Sequence, residues 1–211
     1  MGYYKFSKET TISSEAILKK TFAEDDLKIR GENSSITFNG MVILMGKIIF
    51  EGNSKLEDGV YIDEGCIISD SQIGKRTKIR PYSLLYKSTF GEDNIIGPFC
   101  FVRDKCNINN SCIIGNAVEL TRSTIRDYVK ISHQCYIGDA YIDSNVIVGA
   151  GTVFCNYDGE QHQKAIIGSK TLIGSGSMII SPIRIGKSVT IAAGSVVKKD
   201  IVDNKKFIQK R

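Results

Sequence analysis

Two histidines in 211 residues, His133 and His162, are too few for a zinc centre built on three imidazoles. The six cysteines, Cys66, Cys100, Cys106, Cys112, Cys135 and Cys155, contain no CxxC pair. That argues against a zinc site and, with no secretory context, against a disulfide framework. No apolar run reaches the roughly eighteen residues of a membrane span, and the polar start from Met1 to Ser14 lacks the apolar core of a signal peptide. Met1-Gly2 suits N-terminal lipidation, but Phe6 stands where a Ser or Thr is needed. Basic stripes are missing too. The net charge of +5 comes from lysines scattered among acids, which favours small anionic ligands over nucleic acid. The expectation is a soluble cytoplasmic chain with free thiols that binds neither membrane nor nucleic acid.

What the sequence has in quantity is a step of six. Phe38, Leu44, Phe50, Leu56 and Ile62 are six apart, as are Ile67, Ile73, Ile79 and Leu85, then Phe90, Ile96, Val102, Ile108, Ile114 and Leu120. One-residue slips introduce Ile125, Ile131 and Ile137, then Ile142, Val148 and Phe154; after a gap come Ile167, Ile173, Ile179, Ile185, Ile191 and Val197. Gly or Asp follows many of them. An amphipathic helix would place apolar residues at three, four and seven, and a simple strand at two. A step of six fits a solenoid whose every coil has three short strands joined by tight turns, with aliphatic side chains stacked in a narrow prism. A β-sandwich would not keep this register over so much of the chain.

Two segments break the period. Residues 1–35 are more polar, and Ser13 or Ser14 can cap a short helix carrying Ile17, Leu18 and Phe22 on one face; this segment is expected to cover an open end of the rod. The second break, "CNYDGEQHQKA" from Cys155 to Ala165, reads as a loop thrown out of the solenoid, and such loops are usually functional. The rod proper then runs over 36–200, with a tail at 201–211.

The ordered series "IGPFCFVRD", "IGNAVELTRS", "ISHQCYIGDAYI", "VGAGTVFCNYDG", "IIGSKTLIGSGSMIISPI" and "IAAGSVVKKDI" resembles the acetyltransferase domain of the bifunctional bacterial enzyme that makes UDP-N-acetylglucosamine. The likeness extends from about Leu27 to Asp200, and the Gly-rich nucleotide-binding start of that family's uridylyltransferase half has no counterpart here. The resemblance implies an all-β solenoid, a left-handed parallel β-helix of hexapeptide repeats. It also implies a homotrimer with sites between subunits, and transfer of acetyl from acetyl-CoA to the amine of glucosamine 1-phosphate without a metal.

By the same resemblance His133 is the general base, a role suited to a side chain that titrates near neutrality. Glu119 is the acid that orients the imidazole and stabilises its cation. Arg103 and Tyr136 match positions that hold the sugar and its phosphate, and an arginine fork suits phosphate. Ala150, Asn156, Tyr157, Ser175 and Ala193 match positions lining the acetyl-CoA site, and Lys210 falls where a basic residue lies near coenzyme A. A backbone amide of the Asn156–Tyr157 loop and the Ser175 hydroxyl are candidates for stabilising the oxyanion.

Part of the acceptor side departs from the pattern. A lysine of the family is Thr121 here, with Arg122 next; a sugar-binding asparagine is Ile147; a lysine of the protruding loop is His162, with Lys164 nearby. Losing a cation and an amide from one pocket weakens binding of the old ligand unless something compensates. Two alternatives follow: a different amino-sugar acceptor, nucleotide-linked or unphosphorylated, and a catalytically inactive rod serving as a binding or assembly module. Failure to bind acetyl-CoA would favour the second.

Overall fold

The computed structural model describes residues 10–12 and 27–209. The helix expected around Ser13 to Phe22 lies outside these residues. Within them the chain is a parallel β-solenoid with no helix, and therefore none long and apolar enough to cross a membrane.

One coil shows the plan of all. Glu119–Thr121 lies on a first face, Thr124–Ile125 on a second and Lys130–His133 on a third. The next coil stacks on it in parallel register, Glu119 on Tyr136, Ile125 on Ile142 and Ile131 on Val148. Most equivalent positions are 17 or 18 residues apart. Three strands with a turn at each end of each strand need about that many residues, which is why the apolar step is six.

The side chains of the period point inward, joined by a second set two residues earlier such as Val60, Val118, Val129 and Val146. Phe38, Leu44, Phe50, Ile96, Val102, Ile114, Leu120, Ile131, Ile137, Phe154, Ile167, Ile173 and Val197 are all buried and stack into one core column. One member is corrected. Ile67 faces outward, between Ile49 and Leu84 in the sheet, and Ile68 takes the core position. The step from Ile62 to the core is therefore a full six, and the slip falls after Ile68. At the start, Leu27–Phe38 is one strand in parallel register with Ile48–Leu56, so residues 27–35 join the sheet. Thr10–Ile12 adds an antiparallel strand beside it.

A ladder of hydroxyls lies inside the turn from first to second face. Ser71, Ser88 and Ser123 each donate to the carbonyl two residues back, at 2.7, 2.7 and 2.9 Å. Each also accepts the backbone N–H of the coil above, from Ser88, Cys106 and Ala140. Buried hydroxyls that satisfy backbone groups on both sides fix where the turns sit, and this turn carries much of the site described below.

All six thiols are free, and Cys155 alone is not fully buried. Burial pushes Cys66 and Cys100 up to about 12 and Cys106 and Cys112 up to about 11. The thiolate is the reactive species. In native protein at pH 8, a thiol reagent is therefore expected to modify Cys155 first and the other five only on unfolding, which mass mapping of labelled peptides would show. Ile137→Ala opens a hole in a column with no slack and is expected to cost about 2–5 kcal/mol, measured by urea denaturation.

Candidate functional site

The turn from third to first face recurs at one edge with the same chemistry. Its four-residue units are Ser132-His133-Gln134-Cys135, Gly149-Ala150-Gly151-Thr152, Gly174-Ser175-Gly176-Ser177 and Ala192-Ala193-Gly194-Ser195. The third residue of each has positive φ, 47, 71, 68 and 70° in order. In the upper three, the hydroxyl of the fourth residue donates to the carbonyl of the first, at 2.7, 2.6 and 2.6 Å. His133, Ala150, Ser175 and Ala193 therefore occupy the same turn position in four successive coils. Backbone bonds tie the column together, from Gly151 to His133 at 3.2 Å, Gly176 to Ala150 at 2.8 Å and Gly194 to Ser175 at 2.8 Å.

Above His133 this edge carries only Ala, Ser and Gly at the second and third turn positions. Gly149 admits nothing larger, because a Cβ there would lie 2.4 Å from the Ser175 nitrogen. The edge rises about 4.8 Å per coil, so three coils form a strip of exposed backbone about 14 Å long leading away from the imidazole. At its far end Ala192, Ala193, Gly194, Ser195 and Val196 face Ile208 and Gln209 across a cleft of about 430 Å³. The Gln209 side chain accepts the Val196 N–H at 2.7 Å and holds the tail there. Lys210 lies just beyond the described residues.

His133 itself is exposed, and its ring has no hydrogen-bond partner among the described residues. Glu119, three residues after the turn position one coil lower, is engaged instead by Arg103, whose Nη2 and Nε donate to Oε1 at 2.8 and 3.2 Å. Arg103 also pairs with Asp104 and lies over the Phe101 ring at 5.4 Å. Tyr136 faces outward directly above Glu119. Its hydroxyl and the Asn156 amide share the space over Gly138, where a Cβ would meet them at 2.9 and 2.3 Å.

The turn from first to second face continues the charges. Thr121 is fully buried; its hydroxyl donates to Asp104 at 3.1 Å and accepts from Arg122 at 3.1 Å. Arg122 grips Asp139 with two bonds of 2.7 and 2.9 Å and approaches Asp104 at 3.7 Å. Glu119, Arg103, Asp104, Arg122 and Asp139 thus form a ladder of alternating sign. Asp139 is its upper anchor, accepting also from Asn156 at 2.5 Å and lying 3.4 Å from the His162 ring nitrogen. The Arg122 guanidinium holds Asp139 below the ordinary carboxylate range, against burial, with Asn156 adding to it. Burial works to raise Asp104, and the Thr121 hydroxyl and Arg103 overcome it.

The loop between Cys155 and Ala165 rises from this turn. Tyr157 and His162 pair across it as an antiparallel bridge, their rings 5.3 Å apart, and the Gln163 N–H donates to the Asn156 carbonyl at 2.7 Å. Asp158 caps its tip: the N–H of Gln161, the Gln163 side chain and the N–H of Glu160 hold its carboxyl down to about 2. The structure thus gathers Arg103, Glu119, Thr121, Arg122, Tyr136, Asn156 and Tyr157 on and beside the first face. His133, Ala150, Ser175 and Ala193 line the adjoining edge. Ile147 stands apart, exposed on the third face between Lys130 and Leu172. Asp104 and Asp139 are the members the sequence reading missed. Their signal was there: Asp104, Arg122 and Asp139 recur at the coil step, one turn position in three coils. Among the described residues no group of three or more His, Cys, Asp or Glu side chains is placed to hold a metal ion.

Residues 164–199 match the model of the bacterial transferase hexapeptide, a unit of six repeats. This is a hexapeptide-repeat chain. Its repeats are similar in sequence to the bifunctional protein GlmU of Janthinobacterium sp. (strain Marseille), 41% identical over 152 residues, 72% of this chain and 34% of that protein. The GlmU of Herminiimonas arsenicoxydans is 43% identical over 152 residues, again 72% of this chain and 34% of that protein. The hexapeptide-repeat chain therefore spans about a third of the length of these curated relatives. Among solved structures, the UDP-N-acetylglucosamine O-acyltransferase of Moraxella catarrhalis aligns at 19% identity and a TM-score of 0.36, covering 69% of this chain and 67% of that one. The acetyltransferase domain of PglB from Neisseria gonorrhoeae, in complex with acetyl coenzyme A, aligns at 16% and 0.29, covering 72% and 53%.

The Asp139 contacts carry a pH signature. A carboxyl whose pKa is lowered on folding stabilises the fold above its ordinary range, and that contribution is lost as pH falls through the folded pKa. Unfolding free energy is expected to decline as pH drops through the ordinary carboxylate range and below it. Arg122→Ala should flatten part of that decline, as read by urea denaturation at stepped pH. An unchanged slope would mean that the pair contributes nothing in solution.

Proposed function

We propose that this chain is an acetyl-CoA-dependent N-acetyltransferase acting on an amino sugar, with His133 as general base. Glucosamine 1-phosphate is the acceptor that the resemblance to the GlmU proteins implies. The observation that carries the reading is the edge itself: a solvent-facing imidazole at the foot of a strip bared to Ala, Ser and Gly, beside a first face crowded with polar groups. A long thin ligand such as a pantetheine arm fits along exposed backbone with small side chains, and Ala150, Ser175 and Ala193 would lie against it. The thioester supplies an activated acetyl group.

In this reading the acceptor lies over the first face, oriented by Arg103, Tyr136 and Arg122. His133 takes the proton of the amine as its nitrogen bonds the acetyl carbon, and returns that proton to the departing sulfur. The negative charge of Glu119, one coil below, favours the imidazolium that forms in between. The Ser175 hydroxyl and a backbone N–H of the Asn156–Tyr157 segment, brought together from neighbouring copies, are the donors proposed for the oxyanion. General base catalysis of this kind contributes about 10²–10⁴ in rate, and the rest comes from holding amine and thioester together.

The outward residues support a complete site made of several chains. Phe101, Val153, Met178 and Val196 are exposed on the first face and Ile95, Ile147 and Leu172 on the third, whereas on the second the exposed residues include Gln72, Thr89, Asn107 and Arg184, with Tyr141 and Ile166 half-buried. Exposed apolar residues on both faces that meet at the His133 edge, beside the polar groups of the first, suit packing of like chains about a closed axis, and a homotrimer is the assembly proposed. This also gives Ile147 a place, beside the first face of a neighbouring copy.

Release of free coenzyme A from acetyl-CoA, measured with a thiol reagent over a panel of amino sugars and blanked for the chain's own thiols, is the direct test. His133→Ala is expected to lower turnover about a hundredfold or more while leaving acetyl-CoA binding intact; equal turnover in the variant would remove His133 from the chemistry. The double substitution Val153→Asp with Met178→Asp is expected to yield monomers by light scattering and to abolish turnover. Full activity in a monomer would overturn the shared site.

A further inference from the structure

The charge ladder on the first face is closed on itself. Arg103 is paired with Glu119 and Asp104, and Arg122 with Asp139 and, at longer range, Asp104. Two guanidinium groups therefore stand among three carboxylates, with a negative charge in excess when His162 is neutral. No second cation stands in register with Arg103 on the strands above it. That line runs Arg103, Thr121, Gly138, and Thr121 is buried with its hydroxyl committed to Asp104.

We infer that the acceptor of this site is an amino sugar carrying no phosphate on its ring, with Asp104 as the residue that sets the preference. The inference rests on the acetyltransferase reading above and names its substrate class. A phosphate monoester would have to displace Asp104 or Asp139 from its guanidinium and then sit as an anion among the carboxylates it had displaced. A neutral sugar faces no such exchange. Its hydroxyl groups can donate to unused lone pairs of Glu119, Asp104 and Asp139 and accept from Tyr136, leaving every ion pair in place. An amine arriving as ammonium is drawn toward the excess of negative charge. Asp104 is central because it is the one carboxylate that touches Arg103, Thr121 and Arg122 together.

The test uses a matched pair, glucosamine and glucosamine 1-phosphate, with the full chain and with Asp104→Asn. For wild type, kcat/KM for glucosamine is expected to exceed that for the phosphate by tenfold or more. Asp104→Asn should narrow the ratio by about tenfold, chiefly by raising use of the phosphorylated amine. Wild-type preference for the phosphate, or an unchanged ratio in the variant, overturns the inference. Should Asp104→Asn misfold by circular dichroism, ionic strength decides on wild type alone. Raising salt from about 0.05 to about 0.5 M screens exposed charges and should increase the relative use of the phosphorylated amine if the cluster repels it; a decrease or no change overturns the inference. Titration of both amines onto the protein with coenzyme A present reads the same ratio without turnover, and binding of neither overturns it. Failure to bind acetyl-CoA, with no transfer to any amine, would instead defeat the transferase reading itself.

Discussion

Everything in this molecule depends on the parallel register of one coil on the next. With strands about 4.8 Å apart and most equivalent residues 17 or 18 apart in sequence, a side chain at a given turn position sits above its counterpart in the coil below. The aliphatic column pays the entropy of ordering so many short strands, and the internal hydroxyls of Ser71, Ser88 and Ser123 prevent one coil from sliding on another. The candidate site needs no special architecture beyond that. His133, Ala150, Ser175 and Ala193 are a column because the turn that carries them repeats, and the charges from Glu119 to Asp139 form a ladder because first-face strands and their turns repeat beside it.

That regularity explains what could be read in advance. A step of six with turn residues between is a direct imprint of a three-sided coil, so the solenoid and its main aliphatic column were legible; a second inward set two residues earlier, including Val60, Cys66, Cys100, Val118, Val129 and Val146, went unnamed because its residues are small or mixed with Ser and Thr. Ile67 misled because Ile68 is equally aliphatic, and only the depth of the neighbouring turn decides which of two adjacent isoleucines points inward. The turn column at the edge was legible in part, since Gly-Ala-Gly-Thr, Gly-Ser-Gly-Ser and Ala-Ala-Gly-Ser repeat one pattern, but membership of His133 shows only once Gln134 is seen at positive φ.

The polar partners were less legible for a physical reason. A core position is set by one preference, burial, whereas Arg103 has Glu119, Asp104 and the Phe101 face within reach, and no periodicity chooses among them. The expectation that Glu119 would serve His133 took the acid as available. In the structure it belongs first to the arginine, with the imidazole left open to solvent. Thr121 likewise reads as a missing cation in sequence, but in space it is a buried strut between Asp104 and Arg122.

Among the described residues the longest excursion from the solenoid lies beside the charge ladder. Between Val153–Cys155 and Ala165–Ile167 the chain leaves the solenoid for one small hairpin, and the sheet closes beneath it as though nothing had been inserted: Ala140–Ile142 still pairs with Ala165–Ile167. The inserted residues do not float. Asn156 reaches down to Asp139, His162 approaches the same carboxylate, and Asp139 in turn holds Arg122. One carboxylate therefore joins the loop to the acceptor ladder. Asn156 in turn shares the space over Gly138 with the Tyr136 hydroxyl. Under the proposed reading Asp139 belongs to the acceptor face and to the loop at once, so a substitution on either side has to be judged by its effect on both.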